Sequence, residues 1–212
     1  MNKKDRFKYV LDYFSRNFPN PQTELNYKNP FQLLVAVILS AQCTDKRVNI
    51  VTPSLFKAFP NPKLMSLAPK DEIFNLIKSV SFPNNKAKHL SEMAKKLVIE
   101  YNSKIPSNVS DLISLPGVGR KTANVVASVV FNMPTMAVDT HVFRVSNRIG
   151  LTNNSKTPKQ TEKELIKHIP KDLIPKAHHW IILHGRYVCK ARKPLCEECK
   201  LSKCCKFYTT KK

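Results

Sequence analysis

Glycine is scarce in this chain. It occurs four times in 212 residues, and two of the four stand together at Gly117 and Gly119. Acidic residues are also few, with 15 Asp and Glu against 36 Lys and Arg, a formal charge of +21. That excess goes far beyond what solubility requires and points to an anionic partner, either nucleic acid or an anionic membrane surface. Lysine far outnumbers arginine, so compositional drift accounts for some of the charge but hardly for all of it. Long hydrophobic runs are missing: no stretch reaches the roughly 18 apolar residues of a membrane span. The longest run, Leu33 to Leu39, suits a buried helix. The basic start Met1-Asn2-Lys3-Lys4 leads into no cleavable apolar segment, so an intracellular, cytoplasmic protein is expected. Cysteine is nearly absent from the first 188 residues, where only Cys43 occurs; five of the six cluster in 189–205. In a reducing compartment that clustering suggests a metal before disulfides.

What is present centres on Leu115-Pro116-Gly117-Val118-Gly119-Arg120-Lys121-Thr122-Ala123-Asn124. Leu112, Ile113 and Leu115 close one short helix, and Pro116 stops it by fixing φ and removing a donor. Gly117 and Gly119 allow positive φ and close approach of a ligand to the backbone. From Arg120, the run Ala123-Val125-Val126-Ala127-Val129-Val130 has the apolar density of a buried helix. The N–H groups of such a hairpin, at a helix N-terminus, make an anion site. The spacing is too short for a dinucleotide fingerprint, and no P-loop follows. A Pro-Gly-Val-Gly turn can also be a plain helix connector, but in so basic a chain the natural anion is a nucleic-acid phosphate.

The remaining chain reads as all-α. Phe7, Val10, Leu11, Phe14 and Phe18 repeat at helical spacing over 3–18. Asn29-Pro30 caps and opens an apolar helix running from Phe31 to Ala41. Thr44 or Asp45 can cap the next helix, which Pro53 should start or bend. Pro60, Pro62 and Pro69 punctuate short helices, and Ser81-Phe82-Pro83-Asn84-Asn85 is a loop before a helix carrying Ala87, Leu90, Ala94 and Leu97. Asp139 precedes a helix with Val142, Val145 and Ile149; Thr157-Pro158-Lys159-Gln160 fits a capping box. Pro175 starts the last long helix, which runs into the cysteines. There they follow C-x6-C-x2-C-x5-C, at Cys189, Cys196, Cys199 and Cys205. Four thiolates so spaced can hold zinc or an iron–sulfur cluster, and only Cys196 and Cys199 form the CxxC knuckle usual for zinc.

The hairpin resembles that of the helix-hairpin-helix DNA glycosylases, and within them the endonuclease III family. Leu39-Ser40-Ala41-Gln42, Ala137-Val138-Asp139-Thr140-His141, His178-His179-Trp180, Leu183-His184-Gly185-Arg186-Tyr187 and the four cysteines are similar to the family's other blocks, in its order. The resemblance implies a two-lobed fold: a helical barrel over 22–132, with the helix-hairpin-helix at about 109–131, and a discontinuous helical domain of 1–21 and 133–212 ending in a cluster loop over 189–205. By position alone Lys121 is a phosphate-binding lysine; the resemblance makes it the nucleophile, helped to lose its proton by the helix N-terminus and Arg120. Asp139, an ordinary N-cap by position, becomes the second catalytic group. The cysteine spacing is similar to that of the family's 4Fe–4S loop, with Cys204 a departure beside the fourth ligand.

Further expectations concern the partner, duplex DNA carrying damaged pyrimidines or abasic sites, bent by a monomeric enzyme with the target nucleotide flipped into a pocket between the lobes. Gly117, Val118, Gly119 and Arg120 of the hairpin, and Lys190, Arg192 and Lys193 of the cluster loop, would meet backbone phosphates. Gln42, Phe82 and His141 match residues that fill the gap left by the flipped base. Phe82 sits in a loop that departs from the usual Gly-Leu-Tyr pattern, and a packed core phenylalanine is the alternative. The implied activity is that of a bifunctional glycosylase and apurinic/apyrimidinic lyase acting on oxidised pyrimidines. The rivals are a monofunctional mismatch glycosylase, against which Lys121 argues, and a non-catalytic binding module with a zinc.

Overall fold

The computed structural model describes residues 1–210; the last two residues of the expected second domain, 211 and 212, lie outside them. Among the described residues the regular structure is helical throughout. The α-helices are α1 (Lys3–Asn17), α2 (Pro30–Leu39), α3 (Asp45–Ala58), α4 (Pro62–Leu67), α5 (Lys70–Ile77) and α6 (Pro83–Tyr101). They continue with α7 (Val109–Ser114), α8 (Arg120–Phe131), α9 (Thr140–Ile149), α10 (Pro158–His168), α11 (Ile174–Tyr187) and α12 (Lys206–Thr209). No helix among the described residues is long and apolar enough to cross a membrane.

Two compact units arise, Glu24–Phe131 and the pair Met1–Thr23 with Asn132–Lys212. In the first, α2 is the central helix: Phe31 and Leu33 to Leu39 are all buried, as an all-apolar helix requires. Asn29 caps it by accepting the Gln32 N–H at 3.0 Å. The helix stops at Leu39, two residues before the expected Ala41, because Ser40–Cys43 forms a turn with Gln42 in the left-handed region at φ 53°. Thr44, rather than Asp45, caps α3 by accepting from Arg47, and Pro53 is accommodated inside that helix.

In the second unit the core gathers Phe7, Val10 and Phe14 of α1 with Val142, Val145 and Ile149 of α9 and Trp180 and Ile181 of α11. The Phe14 and Trp180 rings stack at 5.8 Å, and the Trp180 indole N–H donates to the Phe18 carbonyl at 2.6 Å. Burial of this aromatic pair, with the one polar group of the indole satisfied, holds the N-terminal helix to residues far along the chain. Arg6 adds a polar tie, donating from Nε to the Cys204 carbonyl at 2.8 Å.

Candidate functional site

The hairpin is built as its sequence dictates at three of its four central positions. Asn108 caps α7, and the Val118 N–H returns to the Leu115 carbonyl at 3.1 Å to close the turn. Gly117 takes φ +78°, where any Cβ would lie 2.8 Å from Cβ of His89 on α6. Gly119 differs from expectation: its φ is not positive, and a Cβ there would meet nothing within 4 Å. Its lack of a side chain instead leaves the start of α8 uncovered, and its carbonyl accepts the Ala123 N–H at 2.9 Å to begin the helix. Val118 is buried, while Arg120 and Lys121 are exposed. The first amides of α8 have no intrahelical acceptors, and together with two adjacent cations they make an anion-attracting corner.

Asp139 occupies the N-cap of α9 and accepts the Val142 N–H at 2.8 Å through Oδ1, which leaves Oδ2 for other work. His141, half-buried in the first turn, places Nδ1 at 3.2 Å from the Arg144 guanidinium. A guanidinium only donates, so Nδ1 accepts and the ring proton sits on Nε2. Gln42 and Phe82 are both exposed and both left-handed, at φ 53° and 55°; Phe82 shows 59% of its surface, so it does not fill the core.

Cys189, Cys196, Cys199 and Cys205 line one recess, open to solvent, whose other walls are chiefly Ile149, Val188, Leu195, Leu201 and Phe207. Cys204 is buried away from it and donates its thiol to the Leu201 carbonyl; burial and the neighbouring Cys205 push that thiol up to about 11. Burial raises Cys199 and Cys205 too, so deprotonation there needs a positively charged guest. Among the described residues, no three His, Cys, Asp or Glu side chains converge on a point suited to a single metal ion. The four thiols line one recess, and a soft, carboxylate-free donor set of this kind is chemically suited to an iron–sulfur cluster or to zinc.

Sequence reasoning missed the residues that hold this segment. Arg148 donates to the Lys190 and Ala191 carbonyls at 2.7 and 3.0 Å, lies 3.7 Å from the Cys189 Sγ, and stacks 4.6 Å over the Phe207 ring. Arg144 donates to the Cys189 and Gly185 carbonyls at 3.2 and 2.9 Å. Their signal was available: 141, 144 and 148 share one face of a helix. Lys190, Arg192 and Lys193 are exposed on the loop so fixed, with Lys193 at φ 51°. Among the described residues the histidines of α11 join no group of three metal-ligating side chains: His178 is 2.9 Å from the Ala137 carbonyl, burial and Arg186 lower His179 to about 4, and burial lowers His184 to about 4.

An uncovered helix-hairpin-helix, a capping aspartate at the start of α9 and a four-cysteine recess in an all-helical chain define a class. The model of the HhH-GPD superfamily of base excision DNA repair proteins matches residues 35–171, and the chain belongs to that superfamily. Within it the similarity is to endonuclease III. The Rickettsia conorii endonuclease III is 51% identical over 94% of both chains, and the Escherichia coli K12 endonuclease III 42% identical over 98% of this chain and 97% of its own. Among solved structures, a trapped endonuclease III–DNA covalent intermediate superposes with a TM-score of 0.93 at 43% identity, over 100% of this chain and 99% of that one.

Proposed function

We propose that this protein is a bifunctional DNA glycosylase and apurinic/apyrimidinic lyase that removes oxidised pyrimidines from duplex DNA in base-excision repair. The observation that carries the reading is Lys121: an exposed lysine in the first turn of α8, two residues after a bare Gly119, in a chain similar along its whole length to an enzyme captured covalently on DNA. The neutral Lys121 amine attacks C1′ of the damaged nucleotide. The C1′–N bond breaks, and the base leaves with that electron pair and takes up a proton. Opening of the sugar ring gives a Schiff base. Loss of a 2′ proton then expels the 3′ phosphate by β-elimination, and hydrolysis returns the free amine. Asp139 stabilises positive charge developing on the sugar and assists proton transfer through the oxygen its cap leaves available.

The hairpin amides and Arg120 bind a backbone phosphate. Gln42, Phe82 and His141 fill the space vacated by the flipped base, where a flat ring such as Phe82 stacks on its neighbours. Cys189, Cys196, Cys199 and Cys205 would hold a 4Fe–4S cluster, whose contribution is to tie four points of one loop together. Lys190, Arg192 and Lys193 then meet phosphates from a rigid loop, away from the glycosidic bond. The protein acts as a monomer on DNA within the cell. The test is borohydride trapping on an abasic duplex: the wild-type chain forms a covalent adduct, and Lys121→Gln forms none while still binding the duplex. Adduct formation by Lys121→Gln at the wild-type level overturns the assignment. A wild-type chain that excises a damaged base without adduct or strand cleavage is instead a monofunctional enzyme.

A further inference from the structure

Two exposed residues of the Glu24–Phe131 unit stand in left-handed backbone without being glycine or asparagine: Gln42, in the turn after α2, and Phe82, immediately before α6. Three of the other non-glycine residues with positive φ among those described are asparagines, which tolerate that region; glutamine and phenylalanine have no such local remedy. Strain of this kind persists only where surrounding structure imposes it. What imposes it here is a pair of ties from one segment to the other. The Ser81 hydroxyl donates to the Gln42 carbonyl at 2.6 Å. The Lys86 ammonium, in a residue only 5% exposed, donates to the Leu39 and Ala41 carbonyls at 2.7 Å each. Lys86 lies one helical turn beyond Phe82, and its own N–H donates to the Phe82 carbonyl at 3.1 Å.

We infer that Ser81 and Lys86 are positioning residues that rivet the Gln42 turn to the Phe82 loop, so that both side chains are presented to the duplex as one preformed wedge. The inference rests on the proposed role of Gln42 and Phe82 in filling the gap. Three physical arguments support it. Helix α2 ends at carbonyls that lack intrahelical partners, and a glycine cap would satisfy them; a lysine drawn out of water for the purpose also fixes where α6 starts relative to that end. Burial lowers the Lys86 pKa, opposed by Cys43 beside it, so the site is arranged around the charge–carbonyl contacts rather than open solvent. Side chains that must enter a base stack lose less freedom on binding when their backbone is already fixed. Pro83 adds to that fixity at the first position of α6.

The test uses the full-length chain with its cluster and a duplex carrying thymine glycol with 2-aminopurine beside it. Single-turnover base release, the fluorescence rise on unstacking, and cleavage of a preformed abasic site are measured in parallel. Ser81→Ala is expected to lower base release and the fluorescence rise about 3- to 10-fold, the reach of one lost hydrogen bond. Abasic cleavage should fall by a smaller factor. Ser81→Thr, which keeps the hydroxyl, restores the wild-type values, and Ser81→Ala adds nothing in a Phe82→Ala background. Lys86→Met should show a larger loss of the same pattern; if it does not fold, the Ser81 series decides alone. Wild-type base release by Ser81→Ala, alongside an impaired Phe82→Ala, overturns the rivet and leaves the wedge standing. Wild-type base release by Phe82→Ala overturns both.

Discussion

The hairpin region and the cysteine segment achieve fixed shape by different physics. Helices α7 and α8 are held by their own apolar residues: Leu112, Leu115, Val118, Ala123 and Val126 are buried, and one left-handed glycine closes the turn. Arg120 and Lys121 then project from a packed base. The segment from Cys189 to Cys205 buries little apolar surface of its own beyond Leu201 and Cys204. It is held by guanidinium contacts from Arg144 and Arg148 to its backbone carbonyls, and by four thiols around an open recess. A packed scaffold can present a reactive lysine without help. A loop with so little apolar surface takes its shape from polar contacts to its backbone instead.

That contrast breaks or sharpens under substitution. The largest effect should come from Cys189→Ser, Cys196→Ser, Cys199→Ser or Cys205→Ser. Each is expected to remove most of about four irons per chain, with the yellow-brown colour, while Cys204→Ser keeps both. Iron analysis and visible absorbance check this, and a colourless wild-type protein with one zinc would refute it. Next is Asp139→Asn, which still caps α9 and so keeps the fold. It should slow base release by about 10²-fold, measured in single turnover. Gly117→Ala comes third. A left-handed alanine pressed against His89 should destabilise the protein by about 2–3 kcal/mol in denaturant melts without lowering iron content, since the four cysteines belong to the other unit.

The smallest effect concerns a pair outside both regions. Burial pushes the Glu164 carboxyl up, but Lys3 at 2.6 Å and the Asn153 N–H outweigh it and hold the group below its usual value. Its contribution is therefore present above pH 4.5 and is lost as pH falls through the lower folded value. Glu164→Gln should cost about 0.5–1 kcal/mol at neutral pH, and the two melting curves should converge on acidification.

Much of this molecule was legible because its signals are local. Asn29, Thr44, Asp139 and Thr157 are caps that the chain announces within three residues, and each accepts the expected N–H. The apolar run of α2 and the hairpin's Pro-Gly turn are equally self-contained. Contacts between distant residues were not legible from pattern. Trp180 and Phe18 are bonded 162 positions apart, which no periodicity reveals. Lys86 and Arg148 looked like any surface cations in a chain with 36 of them, because their acceptors are backbone carbonyls that carry no sequence signature. The two hairpin glycines were legible only as a pair, each allowing positive φ and close approach, whereas Gly117 alone takes positive φ and a Cβ at Gly119 would meet nothing within 4 Å.

The central claim is that the Lys121 amine, and no other, bonds to the sugar. Borohydride reduction of the wild-type chain on an abasic duplex, followed by digestion and mass analysis of the DNA-linked peptide, tests it directly. The account predicts a single modified peptide with the deoxyribose remnant on Nζ of Lys121. A remnant on any other lysine, or on the N-terminal amine, would contradict it.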